Sequence, residues 1–399
     1  MTKRLLAIAF IYLCTAAGWA VLGATIFERT RSFEGRLKER VSSTWGTSQT
    51  QEVPVAYSER EEPPSSGGNT ESVLTRVPLP LEQTRATVAL ALEHRQKGLL
   101  WYSTYGVAFD GRYRFRNSTP AETVALELKL PASQAVYDDL RVSVNGAPAS
   151  YEMRGQSIVA RARVPAGDSV ALAVAYRSQG LDEWRYLLGR EVAEVRDFRL
   201  TMRTDFARID FPENTLSPTE KRPHGDGWEL EWRYSNLLSG FQIAMVMPQK
   251  LQPGPLAGRI ALFAPVTLLF FFAVMFLITT LRAIELHPMN YAFLAAAFFA
   301  FHLLLAYLVD HISIHLAFGL ASLVSILLVT SYLRLVVGSS FAFREAALAQ
   351  LTYLVLFSYA FFFAGFTGLA ITLGSIVTLF VAMQLTGGIR WKEVFAVKR

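Results

Sequence analysis

Apolar and polar residues follow three different patterns along this chain, and each predicts a different kind of structure. Residues 5–27 form an uncharged run of 23, preceded by Lys3 and Arg4. As a helix this run is about 34 Å long, enough to cross a hydrocarbon core of about 30 Å. Signal peptides have shorter apolar cores and a small-residue cleavage site. The residues before Cys14 (Ile11, Tyr12, Leu13) also lack the small side chains of a lipoprotein signal, so the run reads as an uncleaved anchor. Residues 28–40 are dense in charge of both signs and are expected to carry the helix out of the membrane. A tract over 59–72, centred on Pro63-Pro64-Ser65-Ser66-Gly67-Gly68, has the composition of a flexible linker.

From about Val73 to Met247 the period becomes two. Residues 124–130 alternate and stop at Pro131, 140–144 alternate into Asn145-Gly146, and 158–164 alternate into Pro165-Ala166-Gly167-Asp168. Trp228, Leu230, Trp232 and Tyr234 share one strand face, with Glu229, Glu231 and Arg233 on the other. Short alternating strands separated by turn signals predict an antiparallel β-sandwich. After Pro255 five long apolar runs follow, at 260–281, 289–309, 312–336, 346–366 and 368–386. The fold class expected is membrane α + β: six transmembrane helices with a periplasmic antiparallel β-sandwich inserted between helices 1 and 2. The expected divisions are an anchor at 1–27, a charged helical extension and flexible linker at 28–72, and the sandwich at 73–256. A five-helix bundle at 257–388 and a cytoplasmic basic tail at 389–399 complete them.

Composition agrees with a membrane protein. Apolar residues make up 52% of the chain and charged ones only 18%, against about 25% charged in soluble domains. The net charge of +6 is a topology signal rather than a surface for nucleic acid. Residues 28–259 hold 30 basic and 29 acidic side chains. With the N-terminus inside, Arg282, Arg334, Arg344, Arg390, Lys392, Lys398 and Arg399 all fall on the cytoplasmic side, as the positive-inside rule requires. Both termini are therefore expected in the cytoplasm and residues 28–256 in the periplasm. Cys14 is the only cysteine, so the outer domain is expected to hold together by packing alone.

Candidate chemistry is sparse. His311 and His315 are four residues apart, a spacing that would place them on one helix face and that metal sites use. Asp310 adjoins them, and His302 lies about 12 Å deeper if the helix is continuous. A hydrogen-bonded polar corner explains Asp310 and His311 better than a metal or catalytic site, with a ligand contact between the two. No metal and no cofactor is expected. His287-Pro288 reads as a helix start, because proline needs no N–H partner in the first turn. Glu345, Arg344 and Arg334 read as ordinary interfacial placements. Trp101, Tyr102 and Tyr105, and the stretch 181–186, form aromatic clusters better explained as sandwich core or as docking onto the membrane helices than as a sugar platform. Asn117-Ser118-Thr119 is a sequon of the kind expected by chance. No Walker loop, dinucleotide fingerprint, zinc-protease helix, Cys-x-x-Cys or nucleophile elbow occurs, so no enzyme activity is expected.

The stretch Leu286-His287-Pro288-Met289-Asn290-Tyr291 resembles a motif of the CreD family of bacterial inner-membrane proteins. The likeness continues through Phe301 to Leu305, Asp310-His311, Ala317-Phe318, Ala321-Ser322 and Tyr332. It resumes at Gly374-Ser375, Leu379-Phe380 and Ile389-Arg390-Trp391. Near the front, Trp45-Gly46 with Gln49 is similar to the family's Trp-Gly-x-x-Gln signature. This sequence departs from the family pattern in lacking a Gly-Pro pair after Gln49, in carrying His302 in place of an aromatic, and in lacking an acidic residue around Thr367-Gly368. Gly387 or Gly388 replaces an expected Arg. It therefore looks like a divergent, short member. The resemblance implies a role in envelope integrity, stress response and colicin tolerance, without a known catalytic mechanism. The partners this implies are membrane lipids and cell-wall material or another envelope protein, with no nucleic acid. The rival expectation is a membrane enzyme or lipid-handling protein with a polar site at the outer ends of helices 3 and 4, near His302, Asp310 and His311.

Overall fold

Helix α1 is continuous over Thr2–Trp45, well beyond the apolar run. A computed structural model of the chain describes residues 2–62, 73–97, 100–189, 193–363 and 365–387. The chain divides into two units, one of residues 1–35 with 251–399 and one of residues 36–250.

In the first unit, α1 packs beside α2 (Pro253–Leu281), α3 (Pro288–Leu308) and α4 (Ile314–Val336). A fifth apolar helix spans Ser339–Phe362 and a sixth Thr367–Thr386. Among the described residues six helices are thus long and apolar enough to cross a membrane. On α1, Ile8, Trp19 and Ile26 are buried. Their separations of eleven and seven residues fall close to whole turns of 3.6, so one stripe faces the other helices and the rest is left for lipid. The expected anchor at 1–27 lies within the first 35 residues, which belong to the same unit as the five later helices. Lipid tails are as apolar as leucine, so close van der Waals contact rather than water exclusion must hold such helices together. Gly258 shows the fit, because a Cβ there would press on the Phe27 ring.

The second unit begins with the last turns of α1. Leu37, Val41 and Trp45, four residues apart, pack with Leu100, Tyr102 and Leu181, and Lys38 pairs with Asp182 at 2.7 Å. Tertiary contact on one face keeps the charge-dense segment helical.

The strands are β1 (Gln49–Glu52), β2 (Val55–Glu62), β3 (Val73–Leu79), β4 (Leu81–Lys97), β5 (Leu100–Arg116) and β6 (Thr123–Lys129). Next come β7 (Tyr137–Val144), β8 (Ala147–Pro148), β9 (Tyr151–Arg154), β10 (Ser157–Arg163) and β11 (Ser169–Leu181). The last are β12 (Glu183–Leu187), β13 (Ala193–Thr204), β14 (Glu220–His224), β15 (Gly227–Ser239) and β16 (Ile243–Val246).

They form an eight-stranded sheet ordered β14-β15-β13-β4-β5-β11-β7-β8, a five-stranded sheet β3-β2-β6-β10-β9 and a three-stranded sheet β1-β12-β16. Pairing is antiparallel except for β4 with β13 and β1 with β12, which run parallel. One core is shared by all three. Val124, Leu126 and Ile158 come from the five-stranded sheet, Val107, Val174 and Leu200 from the eight-stranded one, and Trp184 and Met245 from the third. Asn145 and Gly146 both take positive φ, as the tight turn of a twisted hairpin demands.

Of the charged helical extension and flexible linker expected over 28–72, the helix runs to Trp45, but the stretch after it is corrected. Residues 49–62 are strands, and Gln49 and Gln51 are fully buried in them. Two glutamines look like linker in a sequence, yet each finds hydrogen-bond partners here. The centre of that linker and the basic tail lie outside the described residues.

Candidate functional site

Helix α3 starts where the sequence signals it. His287 holds extended backbone, its Nδ1 accepts the Met289 N–H at 3.2 Å, and Pro288 occupies the first helical position. Asn290 accepts a hydrogen bond from the Tyr332 hydroxyl of α4 at 2.7 Å, and Tyr291 is buried edge-on against Phe272. These residues of the 286–291 motif therefore start α3 and tie it to α4 and α2.

At its other end α3 stops at Leu308 and the chain turns, with Asp310 N–H bonding to Tyr307 O at 3.2 Å and His311 N–H to Leu308 O at 2.9 Å. Asp310 is taken up by α1. Arg29 reaches its carboxylate at 2.9 and 3.2 Å, donates to the Ala306 carbonyl at 2.9 Å, and lies 5.5 Å from the centre of the Tyr307 ring. Arg29 is the residue the sequence reading missed. Its signal was the position of the first arginine past the apolar run, at the level where six alternating helices would put Asp310.

The other expected members of this corner do not join it. His311 is exposed in the turn, and α4 begins only at Ile314. The four-residue spacing of His311 and His315 therefore does not lie on one helix, which corrects that expectation. His315 packs at a tilt against Phe362 with ring centres 5.1 Å apart. His302 is buried within the helices, with Nδ1 donating to the Phe298 carbonyl at 2.9 Å and Trp19 edge-on at 5.4 Å. Among the described residues no three His, Cys, Asp or Glu side chains gather as a metal site would need.

A second polar group lies where the sequence gave no reason to look. The fifth helix is wound as π-helix over Ala342–Ala346 and Leu351–Leu356. Such expanded turns break the regular i to i+4 ladder and often occur at functional positions. Between them Gln350 is fully buried and donates to Ser325 Oγ at 2.8 Å, and Ser325 donates to the Ala297 carbonyl at 2.7 Å. Glu345, expected simply at the interface, pairs with Arg282 at 2.5 Å.

In the β unit, the Trp45, Gly46 and Gln49 signature ends one element and fixes the next. Gly46 takes φ +89° and its N–H caps the Ser42 carbonyl at 3.0 Å, a glycine stop of α1. A Cβ there would crowd the Gln179 carbonyl. Gln49 is fully buried and donates from Nε2 to Ser178 Oγ at 2.7 Å and Gln179 O at 2.8 Å. Trp45 lies under the Arg95 guanidinium, 3.4 Å away.

Three buried tyrosines of the eight-stranded sheet hold the small sheet in place: Tyr176 donates to Gln51 at 2.7 Å, Tyr105 to the Glu183 carbonyl at 2.7 Å, and Tyr113 meets Tyr186 at 3.2 Å. Burial raises the pKa of each of these four hydroxyls above the ordinary tyrosine value. Tyr102, Tyr105, Trp184 and Tyr186 are thus core. Asn117 is buried, its amide bonded to Ala121 O and Val164 O, so the sequon is a turn lock. Trp391 lies outside the described residues.

Six apolar helices, with the strands lying between the first and second in chain order, define a polytopic membrane protein of α + β build. Residues 229–392 match the family model of inner membrane protein CreD. That match agrees with the resemblance carried by His287, Pro288 and Tyr291, and it covers less than half of the chain; Trp45, Gly46 and Gln49 lie ahead of the matched residues. No curated protein matches the chain.

Among solved structures, a candidate nutrient-binding protein from Legionella pneumophila aligns at 9% identity and TM-score 0.36, covering 57% of this chain and 76% of that one. An M1 zinc metallopeptidase from Deinococcus radiodurans aligns at 11% identity and TM-score 0.30, covering 43% of this chain and 42% of its own. Yeast LTA4 hydrolase aligns at 9% identity and TM-score 0.23, covering 42% and 28%. The chain spans less than half the length of these two enzymes, and likenesses this low say nothing about its activity.

Proposed function

We propose that this protein is a non-catalytic envelope-integrity protein of the bacterial inner membrane, in which a periplasmic β-sandwich binds an envelope component or a partner protein. The observation that carries this reading is the match of residues 229–392 to an inner-membrane family. The charge distribution supports the orientation, with both termini cytoplasmic and residues 28–256 outside. The geometry of the corner supports a non-catalytic role: Asp310 is committed to Arg29, His311 is exposed, and His302 faces Trp19. The rival reading, an enzyme or lipid-handling site at these three residues, needs them to converge.

The test is complementation of an envelope-stress phenotype in a deletion strain by the Asp310→Ala/His311→Ala variant, with membrane abundance followed by immunoblot. Rescue, or failure with low abundance, is expected of a structural corner. Failure at full abundance would overturn the non-catalytic reading.

A further inference from the structure

The eight-stranded sheet buries one face in the core and leaves the other polar. On that open face β11 contributes Ala171, Ala173 and Ala175. Pairing places Arg114, Arg112 and Asp110 of β5 opposite them on one side, and Ser143 and Arg141 of β7 opposite Ala173 and Ala175 on the other. The result is a groove of about 700 Å³, floored by alanine methyls, walled by Arg112 and Arg141 and rimmed by Tyr151. It continues into a hollow of about 280 Å³ that shares Asp110, Arg141 and Ala175 and is bordered by Arg177 and Arg203. The larger volume falls within the range of about 300–1,000 Å³ typical of small-ligand sites.

The charges of the groove are unevenly matched. Arg112 has Asp110 at 3.4 Å, with the arginine 73% exposed, a loose pair that a ligand oxyanion can displace. Arg141 on the groove wall, and Arg114 two residues beyond Arg112 on β5 and just outside the groove's lining, have no acidic partner among the described residues, and both are exposed. Across the sheet, Arg112 is followed in register by Arg85, Arg199 and Arg233. Of these, Arg85 is paired with Asp197, and Arg199 and Arg233 share Glu231 at 3.0 and 2.8 Å, so the cations left open lie on the β5 and β7 side. Strands lie about 4.8 Å apart and residues i and i+2 about 6.8 Å. By these spacings the position of Arg112 stands about 7 Å from that of Arg114 and about 12 Å from that of Arg141, which is about 17 Å from Arg114, around a flat methyl floor.

We propose that this groove binds an acidic glycan chain, with its oxyanions on Arg112, Arg114 and Arg141 and its rings over the alanine floor against Tyr151. Guanidinium groups meet carboxylate or phosphate through paired hydrogen bonds. The floor has no side chain larger than a methyl, which lets a broad ring lie flat. An acidic peptide added as a strand is disfavoured because β11 is already paired on both sides, to β5 and β7, and strand addition needs a free edge. The proposal rests on the reading that the β domain binds an envelope component, and it names the chemistry of that component.

The test is calorimetric titration of the purified full-length protein in detergent with hexagalacturonate, and with maltohexaose as the neutral chain of equal length. Hexagalacturonate is expected to bind, more weakly as salt rises, and maltohexaose is not. The variant Arg112→Gln/Arg114→Gln/Arg141→Gln is expected to raise the Kd at least tenfold, whereas Arg154→Gln/Arg163→Gln on the five-stranded sheet leaves it unchanged. Ala173→Trp fills the floor without changing charge and is expected to abolish binding, so the inference does not depend on the triple variant folding. No binding by the wild type, equal loss in both arginine variants, or full binding by Ala173→Trp would overturn it. So would arginine-dependent capture of phosphatidylglycerol vesicles without hexagalacturonate binding, which would make the face a lipid contact. Complementation by the triple variant would sink this site alone. Complementation by a chain lacking residues 36–250 would sink the underlying reading.

Discussion

Removing the Asp310 carboxylate tests whether the polar corner is a structural tie. Asp310→Asn leaves Arg29 with the Ala306 carbonyl but without its counter-charge. The two side chains are 20% and 29% exposed, between the exposed pairs worth about 0–1 kcal/mol and the buried ones whose disruption costs about 3–5 kcal/mol. An intermediate loss of about 2 kcal/mol is expected, close to thirtyfold in the folded-to-unfolded ratio. In a double-mutant cycle with Arg29→Gln, the coupling should be about 1–1.5 kcal/mol, because the two N–O contacts are lost once rather than twice. The assay is reversible unfolding in mixed detergent micelles, with dodecyl sulfate as denaturant and tryptophan fluorescence as readout. Additive effects with a coupling below about 0.3 kcal/mol, or an Asp310→Asn variant as stable as wild type, would refute the tie between α1 and α3.

Other expectations follow from the same geometry. Gly46→Ala should cost about 2–4 kcal/mol, from a positive φ and the crowded Gln179 carbonyl, with hydrogen exchange accelerated at the end of β11; unchanged exchange there would count against it. Gln49→Leu should cost about 1–3 kcal/mol by stranding the Ser178 and Gln179 acceptors, measured as a lower urea midpoint of the β domain. Gln350→Leu should be nearly neutral in abundance, since Ser325 keeps its bond to Ala297; loss of complementation at normal abundance would instead mark Gln350 as functional.

Alkaline unfolding should report the buried tyrosines. Tyr105, Tyr113, Tyr176 and Tyr186 keep their protons when folded, whereas unfolded tyrosine loses its proton near pH 10. Their contribution is therefore full below about pH 10 and is lost as pH rises toward the folded values, with each group steepening the fall by about 1.4 kcal/mol per pH unit. Tyr113→Phe should flatten the curve, and a stability independent of pH between about 9 and 11 would contradict the assignment.

Period and length made much of the architecture legible. The helix starting at His287 and Pro288, the turn at Asn145-Gly146 and the buried face carrying Leu230 and Trp232 are local events. Sterics and side-chain spacing dictate them wherever the segment folds. The strands at 49–62 were hidden because glutamine carries no periodic signal; Gln49 and Gln51 are buried only because β11 and β12 supply partners.

The candidate corner divided in the same way. Its residues could be picked out singly, as ionisable groups near the ends of apolar runs, but which of them meet is a long-range matter. Arg29 and Asp310 are 281 positions apart, and no local pattern encodes that distance. The pairing of β4 with β13, which makes part of the sheet parallel, is equally non-local, as is the placing of arginines from β5 and β7 about one alanine-floored groove. By itself the sequence determined the place and polarity of the apolar helices and of the alternating strands, because those follow from backbone geometry and burial along a few turns. Only the tertiary structure decided which polar groups are satisfied, which face one another and which remain open to a ligand, because desolvation penalties are settled by whatever neighbour the fold brings near.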